Sequence, residues 1–171
     1  MTPAPAPAAS NARQWVIVFA ILLSIVTYID RVCISAAEQN MRKDLGLDKE
    51  AMGYVFSAFA LSYALFEIPS GWMGDSMGPR KVLTRIVLWW SFFTAATAWA
   101  WNFVSLWLIR FAFGMGEAGC FPNLTKAFTT WLPARERVRA QGITWMSARW
   151  GGAFTQPLVG LILAYLDWRT A

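Results

Sequence analysis

The chain has 171 residues, of which 57% are hydrophobic and 15% are charged, with a formal net charge of +5. A soluble domain of this size is far more polar, so the composition excludes an ordinary soluble globular protein. The basic residues lie in short segments between long apolar runs, which indicates a multi-pass membrane protein rather than a nucleic-acid-binding protein.

Five apolar segments are predicted to cross the membrane, after a Pro/Ala-rich cytoplasmic tail over residues 1–12 that is predicted to be disordered. The predicted helices cover residues 15–35, 51–71, 82–101, 104–128 and 140–166. Lys and Arg are concentrated on the side that holds the N-terminus, so the positive-inside rule predicts a cytoplasmic N-terminus. The C-terminus then lies outside, where a sixth helix is expected to start. We therefore expect the chain to be part of a longer protein.

The fourth predicted helix carries two ionisable side chains, Arg110 and Glu117, inside an apolar run. A charge at membrane depth costs from about 3 to more than 10 kcal/mol, so such a residue is expected to face protein or water. The two residues are about two helical turns apart and therefore share one helix face. Glycines in the same segment favour the close approach of a neighbouring helix. We predict that this helix lines a polar interior.

Other predicted helices carry ionisable or phenolic side chains at similar depths. Asp30 and Arg31 lie in the outer half of helix 1, Tyr63 lies near the middle of helix 2, and Arg149 lies within helix 5. Together with helix 4 they supply three guanidinium groups, which suit an anionic substrate because arginine binds carboxylate with two parallel hydrogen bonds. The two acids suit proton coupling, because burial disfavours a charged carboxylate whereas a neighbouring arginine favours it.

Structural explanations are the alternative for each of these residues. Arg110 and Glu117 can form a buried ion pair that only fixes helix register. Arg31 and Arg149 can extend along their helices toward the membrane surface. Tyr63 can be ordinary packing with its hydroxyl satisfied.

The segment between predicted helices 2 and 3 resembles the signature loop of the major facilitator superfamily, through Gly71, Asp75, Gly78, Arg80 and Lys81. Three further stretches are similar to the anion:cation symporter family within it: Y-I-D-R in helix 1, R-F-A-F-G-M-G-E-A-G-C-F-P in helix 4, and W-L-P-A-R-E-R before helix 5. Members of that family carry hexuronates, galactonate, glucarate, tartrate or phthalate. The resemblance implies an all-α membrane protein of two six-helix halves. This chain then holds five transmembrane helices of the N-terminal half, truncated before helix 6.

The resemblance also implies a secondary active transporter of the cell inner membrane that carries an organic anion, a sugar acid or dicarboxylate, together with a proton. It assigns proton coupling to Asp30 and Glu117, and lining or gating of the anion site to Arg31, Tyr63 and Arg110. It assigns a gating role to the five residues of the signature loop. Arg149 is a further candidate for substrate binding from its position within helix 5. Many sugar-acid members have glutamine where this chain has Arg149, and the added cation suits a dicarboxylate or a more highly charged anion.

No cofactor is expected, and the implied coupling ion is H⁺, with Na⁺ as the alternative. The expected partners are the small organic anion, membrane lipid and the missing C-terminal half, without nucleic acid. Two alternatives to symport are an antiporter or exporter of another solute and a non-transporting membrane fragment. An enzyme is not expected, because the sequence offers no histidine and no nucleophile or metal constellation. Cys33 and Cys120 are interpreted as small apolar fillers.

Overall fold

The computed structural model describes residues 11–170, and all regular secondary structure in that range is helical. The prediction of an all-α fold is confirmed for this range. The six helices are α1 (Ala12–Leu45), α2 (Lys49–Met77), α3 (Pro79–Thr97), α4 (Phe103–Glu117), α5 (Cys120–Trp131) and α6 (Ala134–Leu163). The predicted disordered tail lies outside the described residues except for its last two positions, and the second of these, Ala12, already begins α1.

Helix α1 is ten residues longer at its C-terminal end than the predicted helix over 15–35. The extension is amphipathic, with Ala37 and Met41 buried and an ion pair between Glu38 and Arg42 one turn apart, at 3.7 Å. Such i,i+4 pairs support a helix outside the membrane, where hydropathy gives no signal. The helix ends at Gly46, whose φ of 64° is the left-handed conformation that favours glycine.

The predicted turn over the signature loop is shorter in the structure than in the sequence analysis. Helix α2 continues through Gly71 and Asp75 to Met77, and Gly78 alone (φ 85°) separates it from α3. Pro79 then occupies the first position of α3, where its missing N–H costs nothing. Gly71 and Gly74 lie inside α2 and pack against Pro122 and Asn123 of α5 instead of forming a turn. Helix α6 also begins earlier than predicted, directly after Pro133, because its charged first turns are good helix formers.

The predicted continuous helix over 104–128 is wrong in one respect, because the structure breaks it between α4 and α5. Ala118 has an extended ψ of 133°, and Gly119 has a φ of 90°. A Cβ at Gly119 would overlap the side chain of Ser70 on α2. The Asn123 amide donates to the carbonyls of Gly119 (2.8 Å) and Ser70 (3.1 Å), so a buried side chain binds backbone oxygens at the break.

Three segments of the described chain are long and apolar enough to cross a membrane: Ala12–Leu45, Lys49–Met77 and Phe103–Trp131. The third of these contains both α4 and α5 and corresponds to the predicted fourth crossing. Helices α3 and α6, predicted as the other two crossings, are more polar and lie in the same bundle. The chain alternates between two ends of the bundle, which we call the Asp44 end and the Asp75 end.

The helices form two groups. Helix α1 packs along α6, whereas α2 packs along α4 and is joined by α3 and α5 into a four-helix group. Glycines allow the closest approaches: Gly114 lies against Ser62 and the backbone of Phe59, and Gly151 lies against the backbone of Ile25. The backbones of the α1–α6 pair and the four-helix group meet at few points, so side chains carry much of the contact between them.

Arg169 links three segments of the chain at the Asp44 end. Its guanidinium donates to Asp44 Oδ2 (2.8 Å from Nη2), and its Nη1 donates to the carbonyls of Ala98 (2.7 Å) and Ala100 (2.8 Å). It also stacks on Trp168, whose indole N–H donates to the same carboxylate oxygen. One arginine thus links the segment after α6 to the end of α1 and satisfies carbonyls at the end of α3.

The break after α4 gives a testable prediction about stability. Replacing Gly119 with alanine places a side chain in a left-handed conformation and against Ser70, so we expect a loss of about 2 kcal/mol or more in the free energy of unfolding. Gly53→Ala is the matched control, because a Cβ there meets nothing within 4 Å inside α2. SDS titration of both variants in detergent measures the effect. Equal stability of the two variants would contradict this account of the break.

Candidate functional site

Glu117 is the most deeply buried ionisable side chain of the site, with 1% of its side chain exposed at the last position of α4. Its Oε1 accepts hydrogen bonds from Arg31 Nη2 at 2.6 Å and Arg31 Nε at 3.2 Å. Its other carboxylate oxygen, Oε2, is buried without a hydrogen-bond partner among the described residues. The pair joins α1 to α4 and compensates a charge that burial alone makes costly.

Arg31 is enclosed by three aromatic rings. Its Cζ atom lies 5.2 Å from the centroid of Tyr28, 5.1 Å from Phe59 and 4.8 Å from Tyr63. Cation–π contacts of this kind stabilise a desolvated guanidinium and restrict its orientation. Even so, 26% of the Arg31 side chain is exposed, so the cation remains partly accessible to a ligand. Tyr63 was predicted to lie here, whereas Tyr28 and Phe59 were not.

Arg110 is buried, with 6% of the residue exposed. The ion pair between Arg110 and Glu117 that the sequence suggested is wrong, because Glu117 pairs with Arg31 instead. Within residues 11–170 Arg110 forms no salt bridge, and its Nε lacks a hydrogen-bond partner. Its Cζ lies 4.9 Å from the ring of Phe113 on its own helix. The physical reason is separation: the two residues of α4 are two turns apart, and Arg31 reaches the carboxylate from the neighbouring α1.

Asp30 faces a different cavity from its neighbour Arg31, because consecutive helical residues point in different directions. A cavity of about 290 Å³ toward the Asp44 end is lined by Asp30, Cys33 and Arg110. A smaller cavity of about 100 Å³ is lined by Arg31 and Arg110 together with apolar residues. Arg110 therefore lies between the two cavities, with the free acid Asp30 on one side and the paired Arg31 on the other.

Arg149 stands apart from this cluster. Its side chain is exposed on α6, and it forms no ion pair in the described part of the chain. One turn earlier on the same helix, Trp145 stacks on Phe121, with ring centroids 4.4 Å apart and an interplanar angle of 8°. Phe121 in turn meets Tyr28 edge to face at 6.2 Å. These rings were not predicted from the sequence. Trp145 lies four residues before Arg149 and Tyr28 three residues before Arg31, so each ring shares a helix face with an arginine.

The predicted gating residues lie at the Asp75 end. Asp75 forms an ion pair with Lys126 of α5 at 2.6 Å, which holds α2 to α5 at the surface. Arg80 and Lys81 are exposed in the first turn of α3 and form no ion pair within the described range. Gly71, inside α2, packs against Pro122, and Gly78 forms the turn. An exposed ion pair such as Asp75–Lys126 contributes about 0–1 kcal/mol to the free energy of unfolding. A gating role for these residues therefore requires contacts beyond this pair.

The pair of a partly exposed guanidinium and a buried carboxylate has chemistry that suits the binding of an anion. Among the described residues, no three His, Cys, Asp or Glu side chains lie close enough to hold a metal ion. Cys120 is buried with its Sγ 3.8 Å from the hydroxyl of Thr27, and Cys33 lines the larger cavity. A partly exposed guanidinium beside a buried carboxylate can bind an anion and exchange its own ion pair for it.

Similar proteins are transporters. A probable sulfoacetate transporter of Cupriavidus necator is 45% identical over 161 residues, which cover 94% of this chain and 37% of the relative. A hexuronate transporter of Bacillus subtilis is 35% identical over 162 residues, 95% of this chain and 38% of the relative. A quinolone resistance transporter of Acinetobacter baumannii is 37% identical over 143 residues, 84% of this chain and 33% of the relative. The chain thus spans less than two fifths of the length of these relatives, and the expectation of a transporter family rather than an enzyme is confirmed.

The fold leads to the same group. A bacterial homologue of the human lysosomal transporter Spinster, solved in an inward-facing and unoccupied conformation, has a TM-score of 0.84 and 29% sequence identity. The match covers 90% of this chain and 32% of that structure. The family model described as Major Facilitator Superfamily matches residues 20–171. The chain is therefore a multi-pass membrane protein that belongs to the major facilitator superfamily.

Proposed function

We propose that the chain is part of a secondary transporter that moves a small organic anion together with a proton across the cell inner membrane. The observation that carries the proposal is the pair of Arg31 and Glu117, a partly exposed cation bound to a buried acid on another helix. Relatives named as sulfoacetate and hexuronate transporters support an organic anion as the substrate.

Competition for Arg31 is the proposed coupling step. Arg31 uses Nε and Nη2 to bind Glu117, so a substrate carboxylate or sulfonate that approaches the guanidinium competes with that carboxylate. A carboxylate that loses its counter-charge at this depth is costly, and taking up a proton removes the charge. Substrate and proton therefore bind together, and the empty site returns with the ion pair re-formed.

Asp30 is proposed as the second protonation site and Arg110 as the link between the two acids. Both line the larger cavity, and Arg110 also lines the smaller one beside Arg31. Because Arg110 forms no salt bridge within the described residues, its positive charge is available to whichever neighbouring acid is ionised. A change in the charge of one acid thus alters the electrostatic potential at the other.

The proposed orientation places the N-terminus and the Asp75 end in the cytoplasm, because that end holds most of the Lys and Arg residues. In this orientation the signature loop is a cytoplasmic gate. Asp75 is held by Lys126, whereas Arg80 and Lys81 are exposed and available to the other half of the transporter. The other half is a proposed partner, because substrate sites in such transporters lie between two repeats.

Export of another solute is the second candidate function, and the quinolone resistance transporter among the relatives favours it. The full-length protein in proteoliposomes distinguishes the two, with organic anions and a quinolone offered as substrates. Accumulation of an anion driven by an inward proton gradient supports the proposal. Transport of the quinolone in the direction opposite to the proton flow, without anion uptake, supports export.

Glu117→Gln in the full-length transporter tests the proposed coupling step. A gradient of one pH unit is worth about 1.4 kcal/mol and drives at most about tenfold accumulation per proton. The amide cannot take up the coupled proton, so we expect this accumulation to disappear while counterflow exchange of the anion continues. Initial rates of both processes, with labelled anion in proteoliposomes, measure the difference.

Glu136→Gln is the control, because Glu136 is a partly exposed acid at the Asp75 end, outside the candidate site. It should retain gradient-driven accumulation. Full accumulation by Glu117→Gln would remove Glu117 from the coupling step.

A further prediction concerns the 171-residue chain alone. We expect no uptake of any anion by this chain in proteoliposomes, because half of a site formed between two repeats is missing from it. Uptake above that of protein-free vesicles would contradict the proposed location of the substrate between two halves.

A further inference from the structure

We propose that a groove at the Asp75 end binds one anionic phospholipid, whose phosphate is held by Arg80 and Lys81 and whose acyl chains lie on the aromatic rings beside them. We call this surface the basic groove, and the residues that define it are Trp15, Phe19, Arg80, Lys81, Leu83 and Trp131. The inference concerns a lipid rather than the transported anion. It takes from the proposed function only the orientation of the chain in the membrane.

Three helices enclose the basic groove. Its volume is about 660 Å³, which is larger than either cavity beside Arg110. Trp15 and Phe19 lie one turn apart on α1 and are 70% and 50% exposed. Trp131, at the end of α5, is 51% exposed, whereas Leu83 of α3 is buried. An exposed apolar surface of this size marks a site of contact with a membrane or with another protein.

The charge of the basic groove is positive. Arg80 and Lys81 lie in the first turn of α3, are exposed, and form no ion pair within residues 11–170. Asp75, the nearest acid before them in the chain, is bound to Lys126 at 2.6 Å. Among the residues that the structure describes, no Asp or Glu lines the groove. Two cations therefore adjoin the apolar surface without a compensating acid.

An anionic phospholipid matches both properties of the basic groove. Its phosphate accepts hydrogen bonds from guanidinium and ammonium groups, and its acyl chains cover rings that a water-soluble anion would leave exposed. In the proposed orientation the groove lies at the cytoplasmic leaflet, whose anionic lipids attract basic residues. Trp15 and Trp131 then lie at the headgroup level, which suits their amphipathic rings. A zwitterionic lipid offers the same chains without net charge, so the groove should prefer the anionic headgroup.

The proposed lipid contacts both groups of helices. Trp15 belongs to the α1–α6 pair, whereas Arg80 and Trp131 belong to the four-helix group. A lipid held in the basic groove therefore links the two groups at the Asp75 end, in addition to the ion pair of Arg31 and Glu117.

Lipid binding by the full-length transporter in neutral detergent tests the inference. Phosphatidylglycerol and phosphatidylcholine with identical acyl chains are titrated, and native mass spectrometry measures the fraction of protein that retains one lipid. We expect phosphatidylglycerol to bind at concentrations about tenfold or more below those of phosphatidylcholine, because each basic residue attracts the anionic headgroup. Glycerol 3-phosphate, which lacks acyl chains, should not displace it at about a hundredfold excess. Displacement would indicate a site for soluble phosphates and would overturn the lipid assignment.

Variants that remove charge locate the lipid. The double variant Arg80→Gln, Lys81→Gln should reduce the preference for phosphatidylglycerol to about twofold or less, whereas Arg80→Lys, which keeps the charge, should retain most of it. The control Arg135→Gln, Arg139→Gln removes two exposed arginines of α6 at the same end, outside the basic groove. It should leave the preference unchanged.

Equal effects of the two double variants overturn the inference, and so does equal binding of the two lipids by the unaltered protein. Equal binding is the result expected if the other half of the transporter covers the basic groove. Uptake of organic anions by the same preparation tests the proposed function separately, so the two can fail independently.

Discussion

The ion pair between Arg31 and Glu117 joins two groups of helices whose backbones meet at few points. Breaking such a pair leaves a charge in a place where neither water nor lipid compensates it, at a cost of about 3–5 kcal/mol. The ion pair therefore helps to hold the α1–α6 pair and the four-helix group in register. A ligand that replaces one partner can alter both the charge of the site and the packing of the bundle.

The fold prepares this contact through local backbone features. The break after α4 makes Glu117 the last residue of its helix, and Gly119 and Asn123 make that break possible against α2. On the other side, Tyr28, Phe59 and Tyr63 fix the guanidinium of Arg31. These contacts support the ion pair on both sides, and the proposed function requires a substrate anion to replace the carboxylate of Glu117 on Arg31.

The sequence was sufficient to predict an all-α membrane fold and most of the charged cluster, because charges within apolar runs are rare and require partners. Partner choice was not predictable. Arg110 and Glu117 share a helix face, but the carboxylate binds Arg31 from another helix, and only tertiary structure brings α1 there. The break at Gly119 was missed for a related reason, since glycine in an apolar run equally predicts close packing. The ends of α1 and α6 that extend beyond the apolar segments were missed, because hydropathy gives no signal for a polar helix.

The central claim is that Arg31 and Glu117 are energetically coupled, and a double-mutant cycle measures it most directly. The free energies of unfolding of Arg31→Gln, Glu117→Gln and the double variant, from SDS titration in detergent, should give a coupling of about 1–3 kcal/mol. Glu117→Gln combined with Arg149→Gln should be additive within about 0.5 kcal/mol, because Arg149 lies outside the pair. Additive effects of Arg31→Gln and Glu117→Gln would contradict the account.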